Sequence, residues 1–226
     1  MEERRISQEG LKLIACLTML ADHIGAVFFP GSILRIIGRI SFPIYCFLLT
    51  EGVCRTGNRS RYGKRLLIGM LLAEIPFDLL FFGGWNWGKQ SVMLTLLLGF
   101  LYCVTVLHIP GLAYRLLLLL PFSYFGEILH VDYGGWGIAL IGMFLLTKDA
   151  PRSSLLQTVC LLLISRMISE ATVTVGGLQM LLQPFAVLAM IPICLYGGRK
   201  RTGNVWVQRG FYLFYPAHLF VLYLLR

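Results

Sequence analysis

Residues 11–29 read Leu11-Lys12-Leu-Ile-Ala-Cys16-Leu-Thr18-Met-Leu-Ala-Asp22-His23-Ile-Gly25-Ala-Val-Phe-Phe29. A helix that crosses a bilayer needs about 20 mostly apolar residues, and this stretch supplies that length. It also carries an acid and a histidine where an apolar helix should have neither. These two properties together, a membrane-length run and an ionisable pair inside it, set the expectations for the whole chain.

Further apolar runs lie near 33–54, 66–83, 92–108, 112–129, 134–147, 154–170, 178–196 and 210–225. The expected fold is all-α: one polytopic transmembrane helical bundle over residues 1–226, with about nine spans, short loops and no soluble appendage. Pro110, Pro121 and Gly134-Gly135 interrupt the fifth and sixth runs. A broken or re-entrant segment near 110–135 is therefore compatible, since membrane helices tolerate such residues where neighbours satisfy the freed backbone groups.

Composition agrees. Of 226 residues, 57% are hydrophobic and 14% charged, with a mean hydropathy of +0.75. A soluble domain carries about 25% charged residues, so a water-soluble enzyme is excluded, and the apolar content excludes disorder. The formal charge of +9 does not indicate nucleic acid, because the basic residues fall between the apolar runs, as membrane topology requires. Arg4 and Arg5 precede the first run, but Asp22, His23 and the lack of an A-x-A site set it apart from a signal peptide. It is expected to be a retained helix.

Alternate loops hold Arg4, Arg5 and Lys12; Arg55, Arg59, Arg61, Lys64 and Arg65; Lys148 and Arg152; and Arg199, Lys200, Arg201 and Arg209. The opposite loops hold little beyond Lys89, with Glu127, Asp132 and Glu170 near span ends. Basic loops stay in the cytoplasm, which predicts a cytoplasmic N-terminus, an outside C-terminus and a multi-pass protein of the plasma (inner) membrane. The six cysteines all lie in apolar runs without CxxC or zinc spacing, so they read as packing residues and no metal is expected. Paired glycines at 83–84, 134–135, 176–177 and 197–198 sit at span ends, where tight turns favour glycine.

Ionisable side chains within a bilayer cost about 2.5–3.5 kcal/mol each on insertion scales and usually mark function. Asp22 and His23, Arg35 and Arg39, Glu74 and Asp78, and Arg166 and Glu170 fall mostly toward the outward halves of their spans, whereas Glu51 and His218 lie nearer the middle or inner side. Arg35 and Arg39, four residues apart, share a face that continues through Phe42, Cys46 and Thr50. Thr18, Asp22 and Gly25 form a small polar face suited to helix packing. Adjacent residues diverge by about 100° on a helix, so Asp22 and His23 cannot form a simple dyad. One arrangement pairs Asp22 with Arg39 or Arg35 and turns His23 to a cavity; buried ion pairs that only specify helix packing are the alternative. The basic run Arg55 to Arg65 reads either as topology anchoring and anionic-lipid contact or as capture of a phosphorylated cytosolic donor. Tyr212, Tyr215 and Tyr223 read as interface or packing aromatics, and Pro216 as a kink that turns His218 inward.

Several stretches resemble the TraX family, membrane proteins named for acetylation of F-type conjugative pilin. Lys12 to Gly25 is similar to the family's first helix; Gly38-Arg39-Ile-Ser-Phe-Pro43 and Phe47-Leu-Leu-Thr-Glu51-Gly52 are similar to its second. Glu74-Ile-Pro76-Phe77-Asp78, Leu94-Thr95-Leu-Leu-Leu-Gly99 and Tyr212-Leu-Phe-Tyr215-Pro216-Ala-His218-Leu219 extend the likeness to both ends. The sequence departs at Ser91 and Met93, where the family has an asparagine and a phenylalanine, and at Ala217, which replaces a larger aliphatic residue.

The resemblance implies a membrane-embedded acetyltransferase that moves an acetyl group from cytosolic acetyl-CoA to an amine or hydroxyl acceptor (a pilin-like peptide, glycan or lipid) at the outer face. In that reading His23 is the general base, its ordinary pKa near 6.5 suiting proton transfer. Asp22 orients a partner group or pairs with an arginine, and Arg39 with Arg35 binds negative charge, either on the thioester oxyanion or on the donor's phosphates. Arg35, Glu51, Glu74, Asp78 and His218 are candidates for substrate binding, Glu51 and His218 as lining of the path between the faces, and Arg55, Arg59, Arg61, Lys64 and Arg65 are candidates for the acetyl-CoA phosphates. The expected partners are the lipid bilayer, acetyl-CoA and the acceptor, with no nucleic acid. A secondary transporter or a non-catalytic assembly factor would use the same buried charges; the lack of an internal repeat counts against the transporter.

Overall fold

The computed structural model describes residues 6–168, 171–175, 178–198 and 205–226. Arg4, Arg5, Glu170, Gly176, Gly177, Arg199, Lys200 and Arg201 lie outside the described residues. The elements are helices α1 (Gln8–Phe28), α2 (Ile33–Gly38), α3 (Ser41–Arg55), α4 (Arg59–Phe82), α5 (Val92–Val106), α6 (Leu112–Ile128), α7 (Gly134–Leu146) and α8 (Ser153–Ile168). They continue with strands β1 (Thr172–Val175) and β2 (Leu178–Leu181), a 3-10 helix (Gln183–Ala189), α9 (Met190–Cys194) and α10 (Val205–Leu225). The chain is mostly helical, as expected, and α1 and the α2–α3 unit are long and apolar enough to cross a membrane.

Capping fixes several ends. The Ser7 hydroxyl accepts from Gly10 N at 3.1 Å at the start of α1, and Asn58 Oδ1 accepts from Arg61 N at 2.8 Å at the start of α4. Gly83, at φ 74°, closes α4 in the left-handed region that glycine occupies without strain. The second apolar run is broken between Gly38 and Ser41. Pro43 has no N–H to donate to the carbonyl four residues back, and the Arg39 and Ile40 amides instead bond three residues back, to Ile36 and Ile37.

The passes run antiparallel between two ends. One, the basic end, gathers the start of α1, the α3–α4 turn, the α5–α6 turn, where Arg59 meets His108, and the start of α10. The other gathers the α1–α2, α4–α5 and α6–α7 turns and the end of α10, where Arg226 donates to the Leu80 carbonyl. The region 110–135 resolves into the helical hairpin α6–α7, with Gly135 lying so close to the Ser123 carbonyl that a Cβ would overlap it. Packing is centred on α3, α5 and α7, whose Ile44, Cys103, Ile138, Ile141 and Phe144 are almost wholly buried. Apolar side chains also face outward in quantity: Leu67, Ile68, Leu71 and Leu72 on α4, Leu117, Leu120 and Phe125 on α6, and Leu155 and Leu163 on α8.

The expected single helix at 178–196 is not formed. An antiparallel hairpin pairs Thr172 with Leu181 and Val175 with Leu178, and the 3-10 helix and α9 complete the segment. Pro184 and Pro192 each remove an amide from a continuing helix. The segment still crosses from end to end: Ala171 borders the cavity beside His23, whereas Leu195 O accepts from Ile6 N at 2.8 Å beside the start of α1. Its irregular backbone is lined inward by buried Gln183, Ala186, Ala189, Met190 and Ile193. Non-helical backbone at membrane depth needs just such burial within protein.

Candidate functional site

The site forms where α1 meets α2. A Cβ on Gly38 would overlap the Asp22 side chain, so glycine there is what lets Asp22 reach the α2 backbone. Asp22 then binds both arginines of the neighbouring run. Arg39 Nη2 donates to Asp22 Oδ2, and Arg35 Nη1 lies 3.0 Å from Oδ1 and 3.2 Å from the Asp22 carbonyl. Arg39 Nη1 reaches Gln183 Oε1 at 3.2 Å, which ties the 3-10 helix to the cluster. The four-residue spacing brings both guanidinium groups to one carboxylate, although the helix turns sharply at Arg39.

His23, one position on, points to a different neighbour. Its Nδ1 lies 2.7 Å from His218 Nε2, and His218 Nδ1 lies 2.7 Å from the Phe214 carbonyl. The ring centroids are 5.0 Å apart with planes 9° from parallel. That separation equals the N···N distance plus the two centroid-to-nitrogen radii, so the rings meet edge to edge rather than face to face. The hydrogen-bond chain assigns the tautomers. A carbonyl only accepts, so His218 Nδ1 carries its proton and His218 Nε2 carries a lone pair. His23 Nδ1 must therefore donate, and neutral His23 presents a bare Nε2. Pro216 and the last helix put His218 in place for this, 195 residues away in sequence.

His23 opens on a cavity of about 560 Å³ that also exposes Asp22, Arg35, Arg39, Ser41, Lys89, Asp132, Tyr133 and Gln183. Lys89 Nζ pairs with Asp132 Oδ1 at 3.1 Å, and Tyr133 stacks on Phe42 with centroids 3.8 Å apart and planes 4° from parallel. At the basic end a second cavity, of about 250 Å³, is lined by Lys12, Glu51, Arg55, Tyr62, Arg65, Phe211 and Tyr212, among others. Met19, Tyr45, Val92 and Tyr215 border both cavities. Those four residues are thus a common wall, in which the Tyr45 hydroxyl contacts Cys16 Sγ at 3.2 Å and Tyr215 lies beside His23, 6.1 Å between centroids.

The expected residues divide clearly. Asp22, His23, Arg35 and Arg39 share one cavity; His218 stands behind His23 and borders neither cavity. Glu51 lies at the basic cavity, 2.7 Å from Arg55. Glu74 and Asp78, expected to bind substrate, border neither cavity. Glu74 accepts from the Ser91 amide at 3.0 Å and the Ser91 hydroxyl at 2.8 Å at the start of α5, and Asp78 accepts from Asn86 N at 3.1 Å. Both hold the α4–α5 loop: a carboxylate near the end of an apolar helix serves the loop that follows it. Of the basic run, Arg55 and Arg65 line the basic cavity, Arg65 lying over the Tyr62 and Tyr212 rings at 5.8 and 5.6 Å. Arg59, Arg61 and Lys64 do not line it; they sit on the outer turns of α4. Tyr212 and Tyr215, read as packing aromatics, border cavities. Lys89, Tyr45, Tyr133 and Gln183 were not expected; only Lys89, a cation in loops that otherwise hold few, carried a signal.

Comparison with known proteins gives a consistent result. The TraX protein family model matches residues 7–226. A "Probable fimbrial assembly protein FimC, serogroup H1" of Dichelobacter nodosus is 28% identical over 94% of this chain and 92% of its own length. An uncharacterised protein of Rickettsia prowazekii is 49% identical over 41 residues, 18% of this chain and 16% of its own. No solved structure matches at a significant level. With the family model covering nearly every residue from the first helix to the last, the chain belongs to the TraX family.

Proposed function

We propose that the chain is a multi-pass plasma-membrane acyltransferase, one domain over 1–226 with about nine spans and a cytoplasmic N-terminus, that moves an acetyl group from cytosolic acetyl-CoA to an amine or hydroxyl acceptor outside. The observation that carries the reading is His23, its Nδ1 held by His218, on the wall of a charged cavity that shares residues with a second, basic cavity. Two cavities that share a wall, with the base in one and the basic-end cations in the other, suit a reaction whose donor and acceptor arrive from opposite sides. The outward aliphatic faces of α4, α6 and α8 and the clustering of basic residues at one end support the membrane setting and its orientation.

In this mechanism the donor's phosphates bind Arg55, Arg65 and Lys12 at the basic end, and its thioester arm extends to the common wall. The acceptor enters the other cavity. His23 Nε2 takes the proton from the attacking N–H or O–H as the new C–N or C–O bond forms. The imidazolium is stabilised by Nδ1–H donation to His218, which also fixes the tautomer. The C–S bond then breaks, and the proton passes from His23 to the departing thiolate, so acetyl-CoA and acceptor give acetylated acceptor and free thiol.

The name of the Dichelobacter relative favours a pilin-like peptide as acceptor, and also favours a second reading in which the protein assists fimbrial assembly without transfer. Full-length protein in nanodiscs with radiolabelled acetyl-CoA separates the two. Saturable binding with slow thioester turnover that His23→Ala abolishes supports the transferase; turnover absent from folded protein, or unaffected by His23→Ala, contradicts it.

A further inference from the structure

The His23 cavity carries more positive than negative charge. Among the described residues that line it, Arg35, Arg39 and Lys89 face Asp22 and Asp132. Lys89 and Asp132 satisfy each other near the mouth, where Lys89 is half exposed. Further in, one carboxylate is divided between two guanidinium groups. Arg39 is 9% exposed, and its Nε is buried with no hydrogen-bond partner. Arg35 is engaged through Nη1, and its side chain is 24% exposed, which leaves part of it open to the cavity. A surplus cation in a low-dielectric site is costly unless an anion compensates it, and a planar guanidinium is the donor best shaped for a carboxylate or phosphate.

We propose that this cavity is an anion-binding subsite, and that the acceptor carries a carboxylate or phosphate that docks on Arg35 in the positive field of Arg39 while its amine or hydroxyl lies at His23. The anion subsite stands on the charge arrangement alone; its assignment to the acceptor rests on the acyltransferase reading. The arginines lie in the cavity away from the basic end, so they are separate from the residues that face the donor. The same chemistry has two sources, a soluble acceptor group and a lipid headgroup phosphate.

The test uses the full chain in neutral phosphatidylcholine nanodiscs, titrated with inorganic phosphate at constant ionic strength and read by the thermal unfolding midpoint. A saturable rise is expected for the wild type and for Arg61→Gln, which removes an exposed cation that lines neither cavity. In Arg35→Gln the apparent Kd should weaken about 10- to 100-fold, the value of one charge-assisted contact, with partial rescue by Arg35→Lys. Loss of the phosphate response in phosphatidylglycerol nanodiscs, the site being already filled, would assign the subsite to a headgroup; a phosphate response retained there assigns it to a soluble group. A midpoint insensitive to phosphate, or a response lost in Arg65→Gln and kept in Arg35→Gln, overturns the proposal. So does a response that appears only in Glu170→Gln, since that residue would then be the missing counter-charge. Acetyl transfer to model acceptors with and without a phosphate group is measured separately. Phosphate binding without any transfer sinks the enzyme reading and keeps the subsite; equal transfer to both acceptors sinks the acceptor assignment.

Discussion

Replacing Asp22 by asparagine keeps the shape of the side chain and removes the one negative charge that buried Arg39 and partly exposed Arg35 share. Arg39 and Arg35, 11% and 24% exposed at the side chain, would then face each other uncompensated. Removing one partner of a buried ion pair costs about 3–5 kcal/mol. At roughly 2–4 °C per kcal/mol for a chain of this size, the midpoint should fall by about 6–20 °C. Arg35→Gln is the informative contrast. It removes the surplus charge, leaves the Asp22–Arg39 pair intact and sacrifices only a partly exposed contact, worth about 0–1 kcal/mol, so the midpoint should move by less than about 4 °C. Both variants are measured by intrinsic tryptophan fluorescence in one detergent at one salt concentration. Equal losses, or a larger loss for Arg35→Gln, would refute the idea that one carboxylate balances two cations.

Three further predictions concern neighbouring parts of the structure. His218→Phe removes the acceptor that fixes the His23 tautomer; turnover should fall about 10- to 100-fold, less than the loss for His23→Ala, while donor binding by equilibrium dialysis stays unchanged. Glu74→Gln weakens a charge-assisted bond to Ser91, so the midpoint should drop by the equivalent of about 1–2 kcal/mol with no change in turnover per folded molecule. Arg65→Gln should weaken acetyl-CoA binding about tenfold or more, whereas Arg61→Gln, on the outer turn of α4, should not, as a direct titration with labelled donor will read.

Much of the fold was legible because long apolar runs have few alternatives in a mostly helical chain. The pairing of Asp22 with Arg39 or Arg35 was legible too, since a four-residue spacing fixes one face, and the structure engages both; the turning of His23 away from its neighbour was legible as well. The contact between His23 and His218 was not: no local pattern encodes a meeting of the first and last helices. The segment 178–196 misled because hydropathy does not distinguish a single helix from short elements buried by their neighbours, although Pro184 and Pro192 were there to argue against helix. Glu74 and Asp78 misled for a different reason. A carboxylate in an apolar helix must have a partner, and here that partner is the backbone and hydroxyl of the following loop rather than a ligand. Gln183, uncharged and in an apolar run, gave no signal of its own, yet it holds Arg39.

The most direct measurement encloses acetyl-labelled CoA inside proteoliposomes that carry the protein with its basic end inward, and follows the label on both sides. The account predicts that labelled acetyl product appears outside with wild type and not with His23→Ala, while CoA remains inside. Consumption of donor with label released only inside, or no consumption by correctly folded protein, would contradict it.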